Sequence, residues 1–271
     1  MPSPTVISVG EATSFLLEPV EPGLAPEVVT GTAALFTLRL VGTGGVVEVA
    51  GDGVRITFPE PPPPEVMARL VDPTVVELRP VLVAGAPDLV DEDGGDDLAI
   101  GQPLSPSDAD YYLTGAMFTA LYDMDCTNPG TAPFASPEGA MVACDAAGSA
   151  KYALGPVEVT GDMLAEVEAG PRTLPGGGVT DEVVVTMMLD ADGTSAFREA
   201  TTRLASLFPP ADQFAIVVDG QVVSAPAVQE VIPSGELVLS GSGEDDTFTT
   251  LVAQLLYGRD GSTWEVVSAD T

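Results

Sequence analysis

Apolar positions in the chain fall into two blocks with a polar interval between them. In the first block, "SFLLEPV" (14–20) has the alternation of a strand. "AALFTLRLV" (33–41) suits a short amphipathic helix or a strand, and the pattern leaves both open. "GVVEVAGDGVRITFP" (45–59) predicts two strands turning at Asp52-Gly53 and ending at Pro59. "PPPPEVMARLV" (61–71) predicts a proline-led helix, because proline suits a first helical turn. "TVVELRPVLVA" (74–84) predicts another strand. This run is an α+β piece of the split-βαβ kind.

Residues 85–110 are acidic and rich in Gly, Pro and Ser, and read as a linker or exposed loop. The stretch between Cys126 and Cys144 is also loop-like. The second block opens near Lys151, where "KYALGPVEVTGDMLAEVEA" predicts a strand and a short helix. "EVVVTMML" (182–189) predicts a buried strand. "DADGTSAFREATTRLASLF" predicts a helix with Asp192 as N-cap and Phe197, Leu204 and Leu207 on one face. "FAIVVDGQVVSAP" (214–226) predicts a hairpin, since Asp219-Gly220 suits a tight turn with positive φ. Phe214, Ile216 and Val218 share one face of its first strand, Val223 continues the core, and Pro226 makes the chain leave the sheet. A strand at 236–241, a helix at 247–258 stopped by Gly258, and a last strand in "TWEVVS" complete the block, with no repeat of fixed period.

Charge changes the picture. The 271 residues hold 41 acidic and 9 basic side chains, a formal net charge of −32, and Lys151 is the sole lysine. Such a surface repels phosphate backbones and anionic headgroups, so nucleic acid is excluded as a partner. The count of histidine is 0, which removes Ser-His-Asp, Cys-His and His-Glu-x-x-His chemistry. No apolar run reaches the roughly 18 residues of a membrane helix. "MPSPTVISVG" lacks the basic-then-apolar order of a signal peptide, so either a leader or anchor has been removed or the chain is cytosolic.

Candidate chemistry is sparse. Asp190-Ala191-Asp192-Gly193 opens like a calcium loop, but Ser195 and Thr201 stand where that loop needs Gly and Glu, so a helix cap is the better reading. "DEDGGDD" (91–97) reads as a solvated acidic loop before it reads as a calcium site. "LPGGGVTDE" (174–182) lacks the Gly-Lys-Ser/Thr ending of a phosphate loop. Carboxylates are so abundant that no single pair marks a glycosidase-like site. Cys126 and Cys144 lie in loop-rich sequence, which favours a disulfide in an oxidising compartment over two buried free thiols.

One stretch has a recognisable likeness. "QFAIVVDGQVVSAPAVQE" (213–230) resembles the first extracytoplasmic domain of SecD, the accessory subunit of the Sec protein translocase. "TSAFREATTRLA" and "AQLLYG" resemble helices of that domain. "MDCTNP" and "VACDAAGSAKYALGPVEVTG" are similar to actinobacterial forms, which also carry a cysteine pair here. "GDGVRITFPEP" and "VVELRPVL" resemble the base subdomain. The flanks depart from the family: Val231-Ile232-Pro233-Ser234-Gly235 replaces the usual Pro then Thr-Gly-Gly, and Gly258-Arg259-Asp260-Gly261 replaces Gly-Ala-Leu-Pro.

The resemblance implies an α+β fold: a ferredoxin-like base from both chain ends with an inserted α+β head. The expected boundaries are base 1–86, acidic linker and disulfide loop 87–144, head 145–245, and base helix and strand 246–271. It implies a non-enzymatic extracytoplasmic domain of the cell envelope that takes no cofactor. Its expected partners are unfolded or extended polypeptide, and the Sec translocon if the full-length protein is membrane-anchored. Expected polypeptide contacts are Phe214, Val218, Asp219, Gly220, Ser224, Ala225 and Pro226, with an apolar groove or sheet edge near the hairpin as the route. The plainer reading of this hairpin is a purely structural role. The alternative function is a stand-alone soluble envelope protein with a SecD-like fold, with calcium on its acidic loops as one variant.

Overall fold

Both ends of the chain contribute to one four-stranded antiparallel sheet. In the computed structural model, which describes residues 13–20, 26–40, 43–71, 74–86, 101–127, 133–136, 138–174, 178–242, 251–258 and 264–270, the chain divides into two units. The first is Met1–Thr74 with Phe248–Thr271, and the second is Val75–Thr247.

The first unit contains β1 (Ser14–Pro19), α1 (Pro26–Arg39), β2 (Val46–Ala50), β3 (Gly53–Thr57), α2 (Pro64–Val71), a helical segment at 251–258 and the last strand, β14 (Trp264–Asp270). Its sheet order is β14-β1-β3-β2. With α1 after β1 and a helix before β14, this is the ferredoxin-like βαββαβ arrangement. Strand β1 buries Phe15 and Leu17 and exposes Glu18, the period of two expected of a half-buried strand. The segment that the pattern left open is helical. Val29, Ala33, Phe36 and Leu40 are buried at helical spacing, but Leu35 is buried too, so the apolar stripe is broad. Phe36 meets Trp264 edge to face at 5.7 Å, which ties α1 to the last strand. Arg39 donates from Nη1 to Leu70 O (2.9 Å) and from Nη2 to Thr74 Oγ1 (3.0 Å), joining the C-terminal ends of α1 and α2.

The second unit contains β4 (Val76–Gly85), α3 (Ala109–Tyr112), α4 (Gly115–Asp123), β5 (Phe134–Ala135), β6 (Met141–Cys144), β7 (Lys151–Leu154), β8 (Val159–Thr160), β9 (Leu164–Thr173), β10 (Val179–Leu189), α5 (Ala191–Leu204), β11 (Phe214–Val218), β12 (Gln221–Ser224) and β13 (Glu236–Ser242). Its larger sheet runs β12-β11-β4-β7-β6-β5, with β8 also on β4. This sheet curls back on itself. Asp145, just after β6, bridges Val222 of β12, and the Ala146 N–H donates to Val222 O at 2.9 Å. Inside the curl lie Val81, Met141, Ala143, Leu154, Ala215, Val217 and Val222. Outside, α4 covers β6 and β7 through Met117, Leu121, Val142 and Ala153. Phe197 of α5 stacks on Phe214 of β11 at 5.7 Å. A separate three-stranded sheet, β13-β10-β9, buries Val185 and Met187.

Several expectations change. Strand β4, expected in the base, lies in the second unit, between β11 and β7. Part of the interval that reads as linker and loop, 101–144, forms α3, α4, β5 and β6 on that unit's core. The acidic stretch 91–97 lies outside the described residues. "LAEVEA" is part of β9 and not a helix, because pairing with β10 overrides its helical composition. The N-cap of α5 is Asp190, whose Oδ1 accepts from Gly193 N at 2.8 Å; Asp192 sits in the first turn. Leu207 lies beyond the end of α5. Val222, not Val223, enters the core, because Val222 pairs with Val217 and shares its face inside the curl, while the bulge between Ile216 and Val217 leaves Val223 without a partner on β11.

Candidate functional site

The hairpin β11–β12 is held on every side. All five residues of β11 are buried, because one face lies inside the curl and the other meets α5. Phe214 is 3% exposed and Val218 1%, so both are core residues. Asp219 and Gly220 turn the chain with φ of 48° and 82°. A Cβ on Gly220 would come within 2.8 Å of Pro133 Cγ, so glycine is needed both for the turn and for the approach. Asp219 also ties the turn to the start of β4. Its Oδ1 accepts from Val75 N, and its own N–H donates to Val75 O, each at 2.9 Å. Ser224 and Ala225 are half-buried and Pro226 is exposed. Strand β12 ends at Ser224, but the chain does not leave the sheet at Pro226: the Phe214 N–H donates to Pro226 O (3.1 Å), Ala227 bridges Gln213, and the Val228 N–H donates to Asp212 O (2.8 Å).

The seven hairpin residues named from sequence are therefore close together, but they differ in what they can touch. Asp219, Gly220, Ser224, Ala225 and Pro226 reach the surface, while Phe214 and Val218 support them from inside. The outer side of β12 at Val222 is already taken by Asp145 and Ala146.

Charged groups that pattern reading did not single out sit within this unit. Lys151 is 1% exposed and its Nζ donates to Tyr122 O and Met124 O, both at 3.2 Å, at the C-terminal end of α4. A cation at that end of a helix meets the unsatisfied carbonyls and the negative pole of the dipole. Beside it, Cys126 and Cys144 form a disulfide with Cα atoms 5.4 Å apart, buried in the cluster with Met117 and Leu121. Cys144 is also the cross-strand partner of Lys151. Arg79 donates from Nε to Glu77 Oε2 (2.9 Å) and from Nη1 to Gly139 O (2.7 Å) and Gly155 O (3.0 Å). Arg203 pairs with Glu158 and donates from Nε to Ser107 Oγ at 3.0 Å. Burial raises the Glu158 carboxyl above its usual range, against the opposing pull of Arg203. The signal for such groups in the sequence was their rarity: with so few cations, each is a candidate for a specific carbonyl or carboxylate partner.

Among the described residues no group of three or more Asp, Glu, Cys or His is placed to hold a metal ion, and no helix is long and apolar enough to cross a membrane.

Curl, hairpin and capped helix define a mixed α+β head unit, in a chain whose two ends form a ferredoxin-like base. Residues 140–259 match the family model of the SecDF P1 head subdomain. The protein translocase subunit SecD of Streptomyces coelicolor is 34% identical over 142 residues, which are 50% of this chain and 24% of that protein. The chain thus spans about a quarter of the length of this curated relative. The crystal structure of SecDF from Thermus thermophilus, described as a translocon-associated membrane protein, has the same fold. It aligns with a TM-score of 0.50 at 17% identity, over 94% of this chain and 30% of that one. The family match begins just before β6, so β4, α3 and α4 lie outside it although they complete the same core.

Proposed function

We propose that the chain is a non-enzymatic, extracytoplasmic domain that holds unfolded polypeptide at the exit of the Sec translocon, as part of a SecD-type accessory subunit. The observation that carries this reading is the SecDF P1 head match across 140–259. The buried Cys126–Cys144 disulfide supports an oxidising compartment. At the hairpin, contact runs through Asp219, Gly220, Ser224, Ala225 and Pro226, with Phe214 and Val218 fixing their position from the core. The acidic surface favours segments carrying Lys or Arg, with a reach that salt cuts to about 10 Å at 0.1 M.

Titrating an unfolded presecretory protein into the chain at low and high salt tests the reading. Weak binding at low salt that fades at high salt is expected. No binding at low salt, with the fold intact by circular dichroism, overturns it.

A further inference from the structure

The hairpin edge is closed, but the head has another sheet whose rim is open. Strand β13, "ELVLSGS", pairs only with β10 among the described residues. Leu189 N donates to Gly235 O at 2.9 Å, and the register from Met188↔Glu236 to Glu182↔Ser242 is unbroken. In an antiparallel ladder, hydrogen-bonded and non-bonded pairs alternate. Gly235, Leu237, Leu239 and Gly241 therefore bond to β10, and the main-chain groups of Glu236, Val238 and Ser240 point to the rim. The Glu236 N–H turns to Ser234 Oγ at 3.4 Å, while Val238 and Ser240 have no main-chain partner there among the described residues.

The opposite rim, on β9, is guarded differently. It contains Gly170 and Pro171, and proline has no N–H to offer an incoming strand. Strand β13 has no such block, and Val238 on its solvent face is 55% exposed. An unguarded, apolar, β-prone edge is a pairing template.

The face around that edge indicates the occupant. Glu236 of β13 and Glu166 and Glu168 of β9 share it with Val238, Thr186 and Met188, by register and the period of two. None of the three carboxylates has a cationic partner among the described residues. The cation on the same face, Arg172, is taken by Glu182 at 2.6 Å. A second copy of the chain would bring its own net charge of −32 toward this acidic face. An extended segment with Lys or Arg on one face and small apolar residues between them meets the opposite sign.

We infer that β13 is a docking edge for an extended, basic segment of polypeptide, which adds to the β13-β10-β9 sheet as a further strand. This deepens the proposed function and rests on it. Main-chain pairing supplies attraction with little demand on sequence, and the acidic face selects for basic side chains. The Ser-Ala-Pro end of the hairpin is not required for this pairing.

The experiment uses the full chain and a short fluorescein-labelled peptide of alternating lysine and valine, read by anisotropy at low and high salt. Val238→Pro removes an N–H that points to the rim and leaves the β10 ladder intact, which an edge strand tolerates. It is expected to weaken binding about tenfold. The same peptide N-methylated at alternate residues cannot complete the ladder and is expected to weaken equally, with the protein untouched. Glu236→Lys is expected to reduce affinity at low salt and to match wild type at high salt. N-methylated peptide binding as tightly as its parent overturns the proposal, and so does a folded Val238→Pro chain that binds like wild type. If Val238→Pro does not fold, the N-methylated peptide decides. A chain that binds an unfolded presecretory protein but is insensitive to N-methylation loses the edge and keeps the broader reading. A chain that binds neither loses both. Sedimentation showing a dimer abolished by Val238→Pro overturns the choice of occupant.

Discussion

The two units of this protein are held together by different means. The first has an apolar core of Phe15, Leu17, Phe36, Val54, Ile56 and Trp264, and strand pairing between chain ends closes its sheet. The second adds to its apolar clusters a buried lysine, a buried arginine, a carboxylate–guanidinium pair and a disulfide. The buried Lys151 and Arg79 are each matched to named oxygens. Leaving such a group without partners costs more than the matched pair contributes. The first unit thus rests on burial and connectivity with Arg39 as its polar clasp, whereas the second adds several buried charges with specific partners and a covalent tie.

Removing residues 260–271 is the most severe test of that contrast. It deletes β14, an edge of the first sheet, and with it Trp264, which packs on Phe36. The first unit is expected to unfold while the second keeps its own transition, followed by calorimetry and by protection of amide hydrogens from exchange. A first unit that melts unchanged would show that its sheet does not need the C-terminal strand.

The disulfide comes next. Replacing Cys126 and Cys144 by alanine removes a link of sequence separation 18, worth about 3 kcal/mol in the chain-entropy account. The loss is expected in urea denaturation of the second unit alone. Trp264, the sole tryptophan, lies in the first unit, so its fluorescence transition should not move. Amine labelling adds a local readout. Lys151 should resist reagent in the oxidised chain and react faster without the disulfide. Equal protection in both forms would separate the lysine from the covalent tie.

The smallest expected effect is one of pH. The Glu158 carboxyl is raised in the folded state, so the folded chain holds its proton more tightly than the unfolded one. Its contribution is fully present below the unfolded carboxylate range and is lost as pH rises through the folded value. Compared with Glu158→Gln, wild type should lose relative stability as pH rises through that range. A constant difference between the two chains across that range would mean that Arg203 fully offsets burial.

How much is legible in the sequence differs between the same two units. Strands β1 and β3, the Asp219-Gly220 turn and the helix after Asp190 follow from local pattern, because period, turn residues and caps act within a few positions. Where α1 is ambiguous, an apolar residue outside the main stripe blurs its periodicity. "LAEVEA" reads as helix because its composition favours one, and only the neighbouring β10 makes it a strand. Of the candidate site, the hairpin and the cysteine pair are legible. The burial of Phe214 and Val218 is legible too, since the unbroken apolar run "FAIVV" is how a strand enclosed on both faces reads; which elements enclose it is not.

Sequence alone determined the mixed α+β class, the acidic surface, the absence of histidine chemistry, the resemblance to SecD and the turn residues. Each is a property of composition or of neighbours along the chain. Tertiary structure alone decided that β4 joins the second unit and that the sheet curls shut at Asp145 and Val222. It also decided that Lys151 caps α4 and that β13 keeps a rim without a partner among the described residues. These outcomes depend on which main-chain groups remain unsatisfied after distant segments meet. Hydrogen-bond partners far apart in sequence leave no local trace in the pattern of residues.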